Sequence, residues 1–298
     1  MKGKGVLAVL IASVAYGVMP ALTRTVQLSG LNAESLVFYR FLLSFVFSAL
    51  AVAIQGFGGV TRKQLFHLFL FGVSGCGVTI QLLTLSYQRI PTGLATMFHF
   101  AYPLFVILIL AAFFREKMRL YQLVACIVAF VGIAAMADFA SGVDVMGSAL
   151  ALLSGVSYAV FVIAGRKSSF VVLRPLVVIL FVSFFSAGVF GTKAAVQGRL
   201  MLPSSLGVWM LLAVISLFCT VLALAMLTVG IRILGPTTAS MLNMLEPVTS
   251  VVTGILVFHE VLTLRTALGC VLILCSTLII VLGEKTPARV ENEKEARE

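Results

Sequence analysis

Long apolar segments separated by short polar breaks recur along almost the whole chain. Ten of them approach the roughly 20 residues that a helix needs to cross a bilayer. They lie at about residues 4–27, 33–56, 65–87, 92–113, 118–137, 145–166, 175–197, 207–230, 237–258 and 263–283. Hydrophobic residues make up 61% of the 298 positions and charged residues 11%, whereas soluble domains are about 45–50% apolar and about 25% charged. Because no water-soluble fold buries so much apolar surface, the sequence predicts an all-α integral membrane protein with ten transmembrane helices in a lipid bilayer.

The basic residues are distributed unevenly between the two sides of the predicted membrane. Of the 21 Lys and Arg residues, only Arg40 is assigned to a helix interior. With the N-terminus in the cytoplasm, 15 of the other 20 lie on the cytoplasmic side and 5 on the opposite side. The positive-inside rule then places both termini in the cytoplasm, with the protein integral to the plasma (bacterial cytoplasmic) membrane. The net charge of +10 is a topology signal, and no nucleic acid is expected as a partner.

The two halves of the chain resemble each other in two registers. An offset of 142 residues pairs Tyr16 with Tyr158, and an offset of 144 pairs Pro103 with Pro247. Further matches are Gly5 with Gly147, Leu10 with Leu152, Arg24 with Arg166, Ala95 with Ala239, Met97 with Met241, Phe114 with Phe258, Glu116 with Glu260, Leu120 with Leu264 and Cys126 with Cys270. The alternative is chance similarity within a biased composition.

Each half holds five predicted helices, so the second half enters the membrane from the opposite side. The sequence thus predicts two inverted five-helix repeats, residues 1–140 and 141–284, followed by a charged and disordered cytoplasmic tail, residues 285–298. Inverted repeats are an architecture of transporters, whose substrate site lies between the halves near the bilayer midplane.

Two tandem motifs, each a proline-containing helix followed by a terminal Glu, resemble the drug/metabolite transporter superfamily of EamA type. The first is residues 100–104 with 114–116, and the second is residues 245–248 with 258–260. Arg40 resembles an early Arg of the family, although its counterpart in the second half is Val182. The resemblance implies a secondary transporter, an exporter of an amino acid or another small metabolite, that works by alternating access.

The two prolines lie near the middle of the fourth and ninth predicted helices. Proline lacks the N–H that would bond the carbonyl four residues earlier, so Pro103 frees the carbonyl of His99 and Pro247 that of Asn243. Within a bilayer such carbonyls need a water-filled cavity or a protein partner. The pattern predicts that both turns face an internal site, and the alternative is a packing kink satisfied by a neighbouring helix.

Polar and aromatic residues share faces of these two helices at helical spacing. His99 and Tyr102 share one face, and Asn243 and Glu246 share the matching face of the ninth helix. These four residues are predicted to bind substrate at a pseudo-twofold axis. The repeat mates Tyr16 and Tyr158 are candidates for aromatic walls, with interhelical packing as the alternative.

Glu246 is the only acidic residue predicted in the middle of a span, where ionisable groups are costly. It is predicted to contact substrate or to couple transport to a proton, and the alternative is a neutral structural role. Arg40 and Gln81 are further site candidates. The alternatives are that Arg40 snorkels outward and that Gln81 forms an interhelical hydrogen bond. Glu116 and Glu260 are interpreted as stabilising the first amides of the following helices.

The rival functions are a membrane-embedded enzyme and a channel. No paired-carboxylate, HExxH or GxSxG pattern occurs, so an enzyme is not expected. A channel needs a continuous polar lining, and the polar residues here are sparse. The five cysteines lie in apolar segments as predicted core residues, and neither a metal nor a cofactor is expected.

Overall fold

The chain is helical throughout the part described by its computed structural model, residues 2–90, 92–116, 119–136, 144–258 and 262–295. These ranges contain helices and their connections and no strand. The all-α prediction is confirmed. A helix satisfies its backbone N–H and C=O groups within one segment, which is what a bilayer requires of an apolar chain.

Fifteen α-helices occur in the described residues, joined in places by helical turns of other types. They are α1 (Lys2–Gly17), α2 (Met19–Leu28), α3 (Ala33–Gln55), α4 (Arg62–Phe71), α5 (Val78–Ser86), α6 (Thr92–His99), α7 (Tyr102–Phe114), α8 (Leu120–Met136), α9 (Val145–Lys167), α10 (Pro175–Val196), α11 (Leu206–Ser216), α12 (Ala223–Leu234), α13 (Pro236–Leu242), α14 (Glu246–Phe258) and α15 (Leu264–Glu295). The other turns are π-helical at Gly72–Gly77 and Leu217–Leu222 and 3₁₀-helical at Ser169–Val172 and Asn243–Leu245.

Seven helical stretches of the described residues are long and apolar enough to cross a membrane. They are Lys2–Leu28, Ala33–Gln55, Arg62–Ser86, Val145–Lys167, Pro175–Val196, Leu206–Leu234 and Leu264–Gly283. The predicted fourth and ninth spans are broken near their prolines, and the fifth is a shorter apolar helix. The chain is therefore a multi-span membrane protein, and the count of ten stays a prediction.

The charged tail differs from the expectation of disorder. α15 continues past the predicted end of its span and reaches Glu295. Glu, Lys, Arg and Ala dominate residues 284–295, and all four residue types favour helices, so the helix extends beyond the apolar segment.

The packing of the helices follows the internal repeat. α3 packs against α10, α8 against α15, α1 against α12, and α5 against α9. In the numbering of the predicted spans these pairs are 2 with 7, 5 with 10, 1 with 8 and 3 with 6. Exchanging the two halves therefore reproduces the same pairs.

Glycines bring α1 and α12 into close contact. A Cβ atom on Gly230 would collide with Val9, and one on Gly5 would lie 2.9 Å from Ile233 Cγ2. Between lipid-exposed helices there is no solvent-driven hydrophobic force, so small residues that allow close approach stabilise the pair. The two helices are therefore in direct contact around Gly5 and Gly230.

Helix irregularities also recur in the two halves. The π-helical segments Gly72–Gly77 and Leu217–Leu222 interrupt the third and eighth spans. α6 ends just before Pro103, and a 3₁₀ turn precedes Pro247. A further break separates α1 from α2 just before Pro20, whereas its counterpart α9 is continuous. These irregular turns surround one internal space.

Candidate substrate site

A cavity of about 630 Å³, its open mouth included, lies among the irregular turns. The lining combines charged, hydroxyl, aromatic, thiol and aliphatic side chains: Tyr16, Met19, Thr23, Arg40, Cys76, Thr79, Ile80, Leu83, Thr84, Tyr87, His99, Tyr158, Cys219, Thr220, Leu224 and Glu246.

Five of the eight predicted site residues line this cavity, namely Tyr16, Arg40, His99, Tyr158 and Glu246. Asn243 and Tyr102 are buried behind the lining, and Gln81 is buried elsewhere in α5. The roles of all eight residues in substrate binding remain predictions. Their positions show only which of them line the cavity.

Glu246, at the start of α14, is held from behind by Asn243. Asn243 Nδ2 donates to Glu246 Oε2 over 3.4 Å, and Asn243 Oδ1 accepts from Ser13 Oγ of α1 over 3.1 Å. Glu246 Oε1 has no hydrogen-bond partner among the described residues, and it is not a fully buried atom. One carboxylate oxygen is therefore anchored, and the other is available in the cavity.

His99 is the repeat counterpart of Asn243 in the first half. Its Nδ1 is 2.8 Å from Ser154 Oγ of α9, as Asn243 is bonded to a serine of α1. The carbonyl freed by Pro103 faces α9, where a Cβ atom on Gly155 would lie 2.9 Å from the His99 oxygen. The His99 carbonyl thus lies against α9 while the imidazole lines the cavity, and the role of this turn in the site stays a prediction.

Aromatic rings form one side of the cavity. The Tyr102 and Tyr158 rings are 4.8 Å apart in an edge-to-face arrangement, and His99 is 5.5 Å from Tyr158. Tyr102 donates its hydroxyl to the Ser240 carbonyl of α13 over 2.9 Å. Tyr102 therefore supports Tyr158 from behind and ties the two halves together.

Arg40 is buried in the protein and does not snorkel. Its side chain leaves 3% of its surface exposed, and Nε donates to Thr220 Oγ1 over 2.8 Å. Nη2 donates to the Cys219 carbonyl over 3.2 Å. The snorkelling interpretation is wrong because the π-helical segment offers acceptors that compensate the guanidinium within the protein.

Two other interpretations need correction. Glu116 forms an ion pair with Lys167 at the end of α9 over 2.5 Å, so its carboxylate bridges two helix ends rather than capping the next helix. Gln81 does not line the cavity. It forms no interhelical hydrogen bond either, since its amide nitrogen and oxygen both lack a partner among the described residues. Glu260 lies outside the described residues.

Several lining residues were missed by the sequence argument. Cys76 and Cys219 line the cavity from the two π-helical segments, although they were interpreted as core residues, and Cys275 is exposed rather than buried. Ile80, Leu83, Thr84 and Tyr87 occupy one face of α5 and its end. Their helical spacing, with two hydroxyls in an apolar segment, was a signal that could have identified this face. No group of three or more His, Cys, Asp or Glu residues could hold a metal ion in the described parts.

Known proteins resemble this chain in sequence and in fold. The sequence profile of the EamA-like transporter family matches residues 3–137 and again residues 145–282. An uncharacterized transporter of Archaeoglobus fulgidus is 26% identical over 232 residues, which cover 74% of this chain and 78% of that protein. A solved structure, described as "Crystal structure of protein", has a TM-score of 0.79 at 16% identity over 95% of this chain and 98% of that chain, a likeness of fold. The chain belongs to the EamA-like transporter family, as its two proline helices predicted.

Proposed function

We propose that this protein is a secondary transporter that exports a small metabolite, such as an amino acid or a related compound, by alternating access. The observation that carries the proposal is the charge pattern of the cavity. Arg40 and Glu246 line the same buried space, and the ion pairs of the described residues do not join them. A zwitterion supplies the opposite charge to each group, which offsets the cost of two buried ions.

The proposed architecture is ten transmembrane helices in two inverted repeats, with both termini in the cytoplasm and the protein in the bacterial cytoplasmic membrane. The exchange-symmetric helix pairs and the matched irregular turns support it. In this orientation the cavity lining runs from mid-membrane toward the outer ends of α2, α3 and α5.

A helix contact at the opposite end supports a carrier rather than a channel. There α1 and α12 are in direct contact through Gly5 and Gly230, and in the proposed cycle this contact closes the cavity. A channel would need a continuous polar path. In an alternating-access cycle the contact between α1 and α12 opens only in the inward-facing state, in which the outer end of the cavity is closed.

Glu246 is the proposed coupling group, with a proton as the coupling ion. Its free oxygen faces the cavity, while the anchored oxygen reaches α1 through Asn243 and Ser13. Protonation or substrate binding at Glu246 would alter this link between α14 and α1. These two hydrogen bonds support a link between occupancy of the site and the position of α1.

The test is an untargeted comparison of metabolites inside and outside cells that carry the wild-type protein, no protein, or a Glu246→Gln variant of equal abundance in the membrane. We expect at least one small zwitterionic metabolite to be depleted inside and enriched outside with the wild-type protein alone. Identical metabolite profiles in the three strains would reject the proposed transport function, and equal export by the variant and the wild-type protein would reject the coupling role of Glu246.

A further inference from the structure

We propose that Arg40 and the π-helical segment Leu217–Leu222 form a subsite that binds the carboxylate of the transported metabolite. This inference rests on the proposed function and deepens it, because it states which end of the substrate binds where. Thr220 is the positioning residue of this subsite.

The π-helical segment presents two hydrogen-bond acceptors to the guanidinium of Arg40. In a regular α-helix the Ala223 N–H would bond the Cys219 carbonyl, but here it bonds the Phe218 and Thr220 carbonyls. The Cys219 carbonyl is left to accept from Arg40 Nη2 over 3.2 Å. Thr220 Oγ1 donates to the Ile215 carbonyl over 3.2 Å and accepts from Arg40 Nε over 2.8 Å. The irregular turn thereby fixes two of the three guanidinium nitrogens.

The backbone of α3 is fixed at the same point. The Arg40 carbonyl accepts hydrogen bonds from Ser44 Oγ over 2.7 Å and from Ser216 Oγ of α11 over 3.0 Å. Ser44 Oγ also lies 3.3 Å from the Ser216 carbonyl. Both the side chain and the main chain of Arg40 are therefore attached to the same two-helix contact, so the guanidinium is held in one orientation.

The third nitrogen, Nη1, is available to a ligand. It has no hydrogen-bond partner among the described residues, and it is absent from their fully buried, unpartnered side-chain atoms. Since Arg40 lines the cavity and is 3% exposed, the accessible surface of Nη1 belongs to the cavity. A planar guanidinium with free N–H groups matches a carboxylate, and such a charge-assisted bond is stronger than a neutral one.

Within the part of the chain that the structure describes, the subsite occurs in one half only. The counterpart of Arg40 is Val182, and Val182 packs on Gly72 at the start of the first π-helical segment, where a Cβ atom would lie 2.9 Å from Val182 Cγ2. That segment therefore meets an aliphatic side chain where the second segment meets a guanidinium. The cavity has one anion-binding end, and a zwitterion has one orientation in it, with its ammonium group toward Glu246.

The test uses purified protein in lipid nanodiscs, with the 20 standard L-amino acids and their C-terminal amides as probes. Thermal stabilisation and calorimetry measure their binding. We expect at least one amino acid to bind, and its amide to bind about tenfold or more weakly, because the amide loses a charge-assisted hydrogen bond. Thr220→Val should weaken binding of the acid much more than that of the amide, Thr220→Ser should restore it, and Arg40→Gln should abolish the preference.

Equal binding of acids and amides by the wild-type protein, or an equal effect of Thr220→Val on both, would overturn the inference. Absence of binding by every amino acid would overturn it as well. Export measured in the cell comparison separates the two proposals: export together with any of these results would leave the transport function standing and reject the carboxylate subsite.

Discussion

Single polar residues in apolar segments were the best sequence guide to the cavity. Glu246, His99 and Arg40 all line it. Ionisable side chains are costly to bury in a membrane, so their presence in apolar segments indicates a functional site. Tyr102 and Asn243 do not line the cavity, although each contacts its predicted partner, His99 and Glu246 respectively, and their roles in binding stay predictions. A shared face that lines one space requires continuous 3.6-residue periodicity, but a break follows His99 and a 3₁₀ turn begins at Asn243.

The contact between Gly155 and the freed His99 carbonyl yields a prediction at this scale. Gly155→Val should destabilise the protein by about 1–3 kcal/mol, because a Cβ atom there would lie 2.9 Å from a backbone oxygen that cannot move independently. The measurement is the melting temperature in detergent, with Gly188→Val as the control, since no atom lies within 4 Å of a Cβ atom at that position. Equal effects of the two substitutions would contradict the close packing.

At the scale of elements, the helix breaks that could be predicted were those near a proline in the middle of a span. Pro103 and Pro247 marked the breaks of the fourth and ninth spans. The π-helical segments were not predicted, because uniformly apolar sequence has no periodicity from which a change of helical phase could be detected. Gly72, Gly75 and Gly77 accompany the first segment, but Leu217–Leu222 contains no glycine or proline. The site geometry of Arg40 therefore depends on an element that the sequence does not reveal.

The start of α9 provides a pH-dependent prediction. Asp144 accepts the Gly147 N–H over 3.0 Å and pairs with Arg89 over 3.3 Å. The Gly147 amide, chiefly, holds the pKa of Asp144 below its ordinary value. A lowered folded-state pKa means that the stabilisation is complete above the unfolded-state pKa and is lost as the pH falls through the folded-state pKa. Asp144→Ala should therefore lower the melting temperature near pH 7, and this difference should shrink below about pH 4.

Asp144→Asn is the matched control, because Asn also caps helices but does not ionise. It should retain more stability than Asp144→Ala, and its melting temperature should not follow the same acid transition. A difference between wild type and Asp144→Ala that stayed constant down to pH 2 would contradict the proposed cap.

At the scale of the whole molecule, the internal repeat allowed the most to be predicted. Glu116 and Glu260 or Tyr16 and Tyr158 could be paired from sequence, and the helix pairs of the structure follow the same exchange of halves. The close approach of α1 and α12 was not predictable. Sequence spacing alone does not determine contacts between distant helices.

Membrane orientation is testable by cysteine labelling in a variant that lacks the five native cysteines. Arg62→Cys and Glu293→Cys should react with a membrane-impermeant maleimide only after the cells are opened, because both positions are expected in the cytoplasm. Gly142→Cys, at a position outside the described residues, should react in intact cells. Labelling of Glu293→Cys from outside would contradict the ten-helix topology.

The central claim is that Glu246 couples substrate movement to a change of state in an alternating-access carrier. It is tested most directly by counterflow of a metabolite from the cell comparison, measured across a range of pH in proteoliposomes containing wild-type or Glu246→Gln protein. Gln keeps the size and hydrogen-bonding capacity of Glu but cannot ionise, so the variant is predicted to insert and fold while losing exchange or its dependence on pH. A correctly folded Glu246→Gln protein with unchanged rate and unchanged pH profile would contradict the claim and leave Glu246 as a structural hydrogen-bonding residue.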